Sequence, residues 1–558
     1  MLTAAALALA AGAPLAATLD LAWWRQDGLH AVQLRDDGAG GPAGFDASRE
    51  VPLGSLWKLF VYVYAVDTGL PTPDYACAGQ DREEVYCCDA GGRIGRDAAL
   101  AQSCGLFFAP ARLLLARAPW QRYWSARLGR SASGQFDWLA DPARLTPQRL
   151  ISLGSLLRAL ASVPPAARAD AESALLHVVL DGRAAGSARW FGSRLRVKTY
   201  SWHQAARPAE RLGGAAGWLA DGTPLWFGAA GGSSAVFQKW SAQLSAALPD
   251  SVEVADAGCV LVDYFARYPI KTVKLASGAA AVPGALRGPY RVLFENGNSV
   301  TLRSEGESQL WMDDAARPHV RGRLGVNEYV ARVLEREGGV AEPEAAKALA
   351  IAARSYLQQN AQRAEGCQRI ADSSATQRVG ASPAGPAARA VARWTDQLVV
   401  AGVTVRYHAT TPGNNTMAWR DALAQARRGD YFDAILAHAY PDGELATINS
   451  SGVRCVRLAG AESWLARQLP EWERLLRGEP GYERPGQMPA VCELGGGAPY
   501  SEQSRNRIFV SGLATREDRI TLAHEFLHLG LRNHPRGQDE VAVERLARRL
   551  TDFKLEQL

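Results

Sequence analysis

Hydrophobic positions along the chain recur with two periods, two residues in some stretches and three to four in others, which separates strands from helices. Leu19 to Leu34 alternates about Asp27-Gly28 and predicts a hairpin. Leu53 to Phe60 runs into an apolar helix that ends near Gly69. From Val252 short strands take over (Cys259 to Tyr264, Thr272 to Leu275, Tyr290 to Phe294, Ser299 to Leu302), interrupted by a glycine-rich patch from Gly278 to Gly288. Nearer the end, Trp464 to Leu476 is an amphipathic helix, Gly478 to Pro499 a loop rich in Gly and Pro, and Ile508 to Gly512 an edge strand. A helix from Ile520 should break between Asn533 and Gly537, with a second helix from Gln538 to Asp552.

Composition adds bounds to this picture. The 558 residues suit three to four domains, and 47% apolar residues are ample for packed cores. The net charge of +5 comes from 62 basic and 57 acidic residues with no basic block, so no nucleic-acid footprint is present. Met1 to Ala17 is almost all Ala and Leu, without charge before Asp20. It reads as the apolar core and small-residue end of a secretory signal that lacks the basic start. Nothing else approaches the roughly 18 apolar residues of a membrane span. The expected location is therefore periplasmic or secreted. Eight cysteines show no Cys-x-x-Cys spacing, and four of them, between Cys77 and Cys104, suggest local disulfides in an exported chain.

The most specific chemistry lies in His524-Glu525-Phe526-Leu527-His528. Histidines four apart share one helix face, and Glu525 projects near enough to polarise a water on a metal they hold. The stretch resembles the HExxH zinc metallopeptidases, which implies zinc, with His524 and His528 as ligands and Glu525 as the catalytic base. A third ligand is needed. His534 matches the metzincin count, although Leu531 stands where that pattern has glycine. Glu544, one turn into the next helix, matches the gluzincin arrangement and is the favoured choice.

Ser55-Leu56-Trp57-Lys58 places a hydroxyl and an amine one helical turn apart, so that the amine can take the hydroxyl's proton. This Ser-x-x-Lys resembles the nucleophile motif of penicillin-binding proteins and class A β-lactamases. Ala98 to Phe108, with Ser103, resembles the helix of that family's second motif, and Arg196 to Tyr200, with Lys198-Thr199, the strand of its third. Gly217 to Leu219 and Leu225 to Gly228 flank Asp221-Gly222 like the hairpin that closes the family's sheet, and the resemblance covers about residues 18 to 250. The resemblance implies Ser55, Lys58 and Lys198 as catalytic residues. Gly105 stands where the family has asparagine, and Tyr200 where it has glycine.

Leu324 to Glu337, followed by Pro343 to Tyr356, resembles the stage II sporulation protein D and amidase-enhancer family, which implies a helix led by Tyr329 and ending in Glu337 and then a helix led by Pro343. Later pieces follow in that family's order: Asp372 to Gly380 with Gln377, Ala390 to Val400, Tyr407-His408, and Tyr431 to Pro441. Glu337 aligns with the glutamate on which the family's peptidoglycan lytic activity depends, and Gly338-Gly339 replace the family's Met-Pro.

These readings give a multidomain α+β chain. A signal peptide at 1–17 precedes a β-lactamase/transpeptidase-like domain at 18–255. A stage II sporulation protein D-like α+β domain at 256–448 and a small, mostly helical zincin-like domain at 449–558 follow. The order resembles large predicted secreted bacterial proteins of the YfaQ type. The implied function is a secreted zinc-dependent peptide hydrolase joined to modules that act on or bind peptidoglycan. The implied partners are peptidoglycan or an envelope peptide or protein. The rival is a non-catalytic peptidoglycan-recognising protein with degenerate sites.

Overall fold

The N-terminal hairpin is present in the computed structural model of the chain as Thr18–Arg25 (β1) and Gly28–Arg35 (β2), antiparallel about Asp27 and Gly28. The structure describes residues 17–38, 40–77, 92–129, 134–180, 187–204, 207–249, 258–374, 376–401, 403–408, 410–411, 413, 415–441, 443–448, 457–485, 488–493, 499–502, 506–531, 535–538 and 540–552. The signal-like stretch, apart from Ala17, lies outside them, as do Cys87, Cys88, Cys455 and His534.

The chain forms two compact units. One comprises Met1–Gly69, Leu114–Arg168 and Val197–Ser251; the other comprises Leu70–Leu113, Ala169–Arg196 and Val252–Leu558. The boundaries read from sequence were continuous, after residues 255 and 448. Two segments from the N-terminal third group instead with the second unit, because packing and not chain order defines the units.

In the first unit, β1 and β2 join a six-stranded sheet with Gly40–Pro42 (β3), Leu195–Gln204 (β4), Arg207–Leu219 (β5) and Pro224–Ala230 (β6), in the order β3-β2-β1-β6-β5-β4. β5 and β6 are the second expected hairpin, with Pro224 opposite Trp218. Trp57–Thr68 (α1) ends at Gly69, which adopts the left-handed conformation of a helix stop. Its Phe60 packs edge-on against Trp124 and Trp138, so the helix is buried nearly all round, as its continuous apolar sequence requires. Leu153–Ala161 (α2) packs on β1 and β6, and Ser233–Ala247 (α3) on β5 and β6. β6 is accordingly buried from Pro224 to Ala229, without a polar face.

The second unit holds a seven-stranded sheet. Its strands are Val260–Tyr264 (β7), Ile270–Leu275 (β8), Gly284–Phe294 (β9), Ser299–Met312 (β10), Pro318–Leu324 (β11), Gln362–Ala364 (β12) and Cys367–Ala371 (β13), in the order β8-β9-β10-β11-β7-β13-β12. β7 is antiparallel to β11 and parallel to β13. A disulfide between Cys259 and Cys367 joins the starts of the parallel pair across a separation of 108 residues. The expected helices are Val326–Glu337 (α4) and Pro343–Asn360 (α5), the latter with proline in its first turn, where a missing N–H is tolerated. Pro386–Trp394 (α6) packs on both.

Arg354 of α5 is fully buried and donates to the carbonyls of Ala392, Thr395 and Leu398 and to Oδ1 of Asn327, at 2.6 to 3.3 Å. It thereby ties the end of α6 to α4 and to the segment at Leu398, beside the Thr395 hydroxyl and the Leu398 N–H that also reach the Ala392 and Thr395 carbonyls.

The C-terminal part of this unit packs Ala459–Leu476 (α7), Arg516–Gly530 (α8) and Glu540–Asp552 (α9) around a three-stranded sheet. The strands are Ala490–Glu493 (β14), Tyr500–Glu502 (β15) and Arg507–Val510 (β16), in the order β14-β16-β15. Three expectations change. β16 is central, not an edge, because Ile508, Phe509 and Val510 are buried between two partners. The region read as a loop holds β14, too short for its period to show, so this part is α+β and not mostly helical. The helix expected over Ala98 to Phe108 is two short helices, Arg96–Gln102 and Gly105–Phe108, broken at Ser103, whose φ is 68°.

Candidate functional site

α8 begins at a capping box. The Thr515 hydroxyl accepts from Asp518 N at 3.1 Å, and the Asp518 carboxylate accepts from Thr515 N at 2.7 Å. Leu522, Ala523, Phe526 and Leu527 fasten one side of the helix to the core, which fixes its rotation and turns His524 and His528 to a common side. The buried Glu525 completes a group whose ligand atoms all lie within 4.8 Å of one another.

Outer partners set the tautomers. His528 Nδ1 is 2.7 Å from the Gly537 carbonyl oxygen, and His524 Nδ1 is 3.0 Å from Oε2 of Glu544. Both partners only accept, so each Nδ1 carries the proton and each neutral ring has its lone pair on Nε2. The two Nε2 atoms face each other at 3.0 Å. Two lone pairs at that distance repel unless a cation or an added proton lies between them. Two imidazoles on one tetrahedral zinc have their nitrogens about 3.3 Å apart, so this donor set fits such an ion.

Glu544, favoured from sequence as the third ligand, stands elsewhere in the structure. It lies on the Nδ1 side of His524, across the ring from the Nε2 pair. Its other oxygen is 2.7 Å from Nη2 of Arg548, which also reaches Glu517 at 3.2 Å. Both oxygens are thus engaged away from the facing nitrogens.

Glu337 ends α4, and its Oε1 accepts from Arg378 N at 2.7 Å. Glu335 points elsewhere, as helix geometry predicts, and accepts from Gly385 N at 2.8 Å. The next residue has to be glycine: a Cβ at Gly338 would come within 2.5 Å of Leu349 and 3.1 Å of Trp419. Behind Glu337, the buried Gln377 donates from Nε2 to the Ala353 carbonyl at 3.1 Å and to the Tyr407 hydroxyl at 2.6 Å, while its Oε1 accepts from the Tyr329 hydroxyl. Every polar atom of the amide has a partner, so its orientation is fixed. Burial first, and then the nearby Glu337 charge, hold the Tyr407 phenol well above its usual range and keep it protonated. Asp372 accepts from Val379 N at 3.0 Å, and burial pushes its carboxyl up. Glu337, Tyr407 and the Asp372 loop with Gln377 therefore come together from three separate stretches of sequence.

Ser55 sits in a 3₁₀ turn, Gly54–Leu56, continuous with α1, which carries the buried Lys58. The Tyr200 ring packs against Gly54, where a Cβ would come within 2.9 Å of Tyr200 Cβ. Lys198 and Tyr200 share one face of β4, so Lys198 is directed to the same side as Gly54. Its ammonium donates to the Thr199 carbonyl at 3.1 Å. Tyr200 is buried, and burial pushes its phenol up.

Comparison with known proteins bears on the whole chain. The family described as predicted secreted protein (DUF2300) matches residues 79–209 and 415–536, and stage II sporulation protein (SpoIID) matches residues 317–399. Among solved structures, a β-lactamase from Burkholderia phymatum shares 14% identity over 41% of this chain and 92% of its own, with a TM-score of 0.26. The transpeptidase domain of the D,D-transpeptidase FtsI4 from Legionella pneumophila shares 13% identity over 41% and 89%, with a TM-score of 0.26. The uncharacterized protein YfaQ of Escherichia coli (strain K12) is 44% identical over 519 residues, 93% of each chain. Among the described residues no helix is long and apolar enough to cross a membrane. The secreted-family match agrees with the location expected from the N-terminal stretch. With that identity over nearly its full length, the chain belongs to the family of YfaQ and carries a SpoIID domain in its middle third.

Proposed function

We propose that this secreted protein acts on the bacterial cell wall, with a zinc-dependent peptidase centre at His524, Glu525 and His528 and a glycan-cleaving carboxyl group at Glu337. The observation that carries the first part is the pair of facing Nε2 atoms, each with its Nδ1 engaged by an acceptor. His524 and His528 would hold the ion through Nε2. Glu544 and the Gly537 carbonyl would keep the two rings oriented. When bound, zinc polarises a peptide carbonyl and makes water a better nucleophile. Glu525 would take the proton from that water and return it to the leaving amine.

Elemental analysis of the purified full chain tests this. One zinc per chain, lost together with peptidase activity in His524→Ala, is expected. A chain that neither retains nor takes up zinc would sink the assignment. His534→Ala tests the remaining candidate for the third donor, and Glu544→Gln beside it tests the orienting role.

At Glu337, the protonated carboxyl group would donate to the glycosidic oxygen as that bond breaks. It would then accept the proton of the sugar's own hydroxyl, which closes on the anomeric carbon. The protonated phenol of Tyr407 adds a neutral donor nearby. Release of anhydro-ended muropeptides by the wild-type chain, and none by Glu337→Gln, is the expected result.

A second reading, recognition without turnover, is favoured for the Ser55 module by one observation: Tyr200 packs against Gly54, immediately before Ser55. A labelled penicillin should leave Ser55 unmodified. Covalent labelling that disappears in Ser55→Ala would overturn this reading.

A further inference from the structure

A cavity of about 430 Å³ opens beside the Glu337 loop, within the range of roughly 300–1,000 Å³ usual for small-molecule sites. Four segments build it: the turn after β7, the β9–β10 hairpin, the end of α4 at Arg336, and the loop after β13. Phe265 leads the first turn at a φ of 60°, in the left-handed region that a bulky side chain enters at a cost of about 1–2 kcal/mol. The resulting turn, closed by Tyr268 N on the Phe265 carbonyl at 2.8 Å, sets the Phe265 ring edge-on to Phe294 at 5.2 Å. Tyr268 lies 6.1 Å from Phe294 and is 58% exposed. The outcome is an aromatic shelf facing an open cavity.

The opposite wall is cationic. Arg336 and Arg378 line it, and both act electrostatically on Asp372 on the same wall. Among the described residues, neither guanidinium has a hydrogen-bond or ion-pair partner. The backbone N–H of Arg378 is the donor that holds Glu337, so the cavity and the proposed acid share a residue. An aromatic shelf takes the apolar face of a sugar ring, and a pair of open guanidiniums takes a carboxylate.

We propose that this cavity is a subsite for a sugar that bears a carboxylate, seated next to the bond on which Glu337 acts. The proposal deepens the glycan-cleaving reading of Glu337 and rests on it for its place in the reaction. Binding itself does not require cleavage.

The test uses the full chain carrying Glu337→Gln, so that nothing is turned over, and calorimetric titration with two probes. One is a peptide-free peptidoglycan tetrasaccharide, whose muramic units carry lactyl carboxylates; the other is chitotetraose, which has none. Tighter binding of the peptidoglycan tetrasaccharide by about tenfold is expected, the worth of one charge-assisted contact of ~1.4 kcal/mol. Adding Arg336→Gln and Arg378→Gln should erase that preference, because these substitutions keep the Arg378 amide that holds Glu337. Tyr268→Ala should weaken both probes. Equal binding of the two probes, or a preference that survives loss of both arginines, overturns the proposal. So does binding that appears only when stem peptides are attached. Because binding is read without cleavage, a catalytically silent Glu337 in the unsubstituted chain would overturn the lytic reading and leave the subsite standing.

Discussion

The placement of Glu544 against Nδ1 of His524 leads to a graded prediction for zinc affinity. In Glu544→Gln the amide oxygen can still accept from Nδ1, but a charge-assisted bond of about 1.5–3 kcal/mol becomes a neutral one of about 0.5–1.5. Glu544 is 38% exposed and shared with Arg548, so solvent and the guanidinium screen its charge and the lower part of that difference applies. The expected loss is ~1 kcal/mol, or about 5-fold in zinc affinity. That lies just below the roughly 10- to 100-fold usual for a partner that orients a metal-bound histidine. His528→Ala removes a donor atom outright and should weaken binding far more. Competition between each full-length variant and a chelator of known zinc affinity measures these values, with circular dichroism to confirm that α8 and α9 persist. If Glu544→Gln strips zinc as completely as His528→Ala, the carboxylate is itself a ligand and the geometry has been misread. If it changes nothing, the bond does not orient the ring and the tautomer argument fails.

Three further outcomes follow from the second unit. Replacing Cys259 and Cys367 with serine opens a closure of 108 residues and should cost about 2–5 kcal/mol, read as a lower urea midpoint in fluorescence. Arg354→Met removes the buried hydrogen bonds that join α6 to α4 and should cost about 3–5 kcal/mol; a loss below about 1 would refute that tie. For Glu328, burial alone would push the carboxyl up, but hydrogen bonds from Arg389 and Arg332 outweigh it and hold the group below its ordinary range. A carboxyl depressed in the folded state contributes stability that is full above its unfolded value near 4.3 and is lost as pH falls through the folded value. Thermal midpoints from pH 6 down to pH 3 should therefore drop more steeply for the wild-type chain than for Glu328→Gln.

Much of the fold was legible because it is local. The hairpin about Asp27 followed from alternation and turn residues and α1 from its apolar run and the stop at Gly69, whereas the hairpin about Asp221 and the helices α4 and α5 were legible through family resemblance. The failures share a cause. β16 is a run of three apolar residues, and such a run looks the same at an edge as in the middle of a sheet until its partners are known. One of those partners, β14, was hidden in a glycine-rich stretch because four residues cannot display a period. The break at Ser103 arises because its left-handed conformation ends one short helix just before Cys104 caps the next.

At the sites, residue identity could be read but role could not. His524 and His528 are visible at once, since a spacing of four is a property of one helix. What each nitrogen does is decided by Gly537 and Glu544, nine and twenty residues after the histidines they engage, across the turn between α8 and α9. Counting residues brings Glu544 near the metal helix, but no count can say which side of the ring it reaches. The same holds at Glu337. Sequence supplied the glutamate, and also Gln377 and Tyr407 as landmarks, whereas the cavity beside it joins Phe265, Phe294 and Arg378 from segments up to about a hundred residues apart. None of those three carries a motif. Phe265 betrays itself only by a backbone angle, which a sequence does not record. A spacing confined to one helix can thus be read from sequence, while the partners of those side chains arrive through tertiary contacts, and in this chain those contacts set Glu544 against Nδ1 of His524.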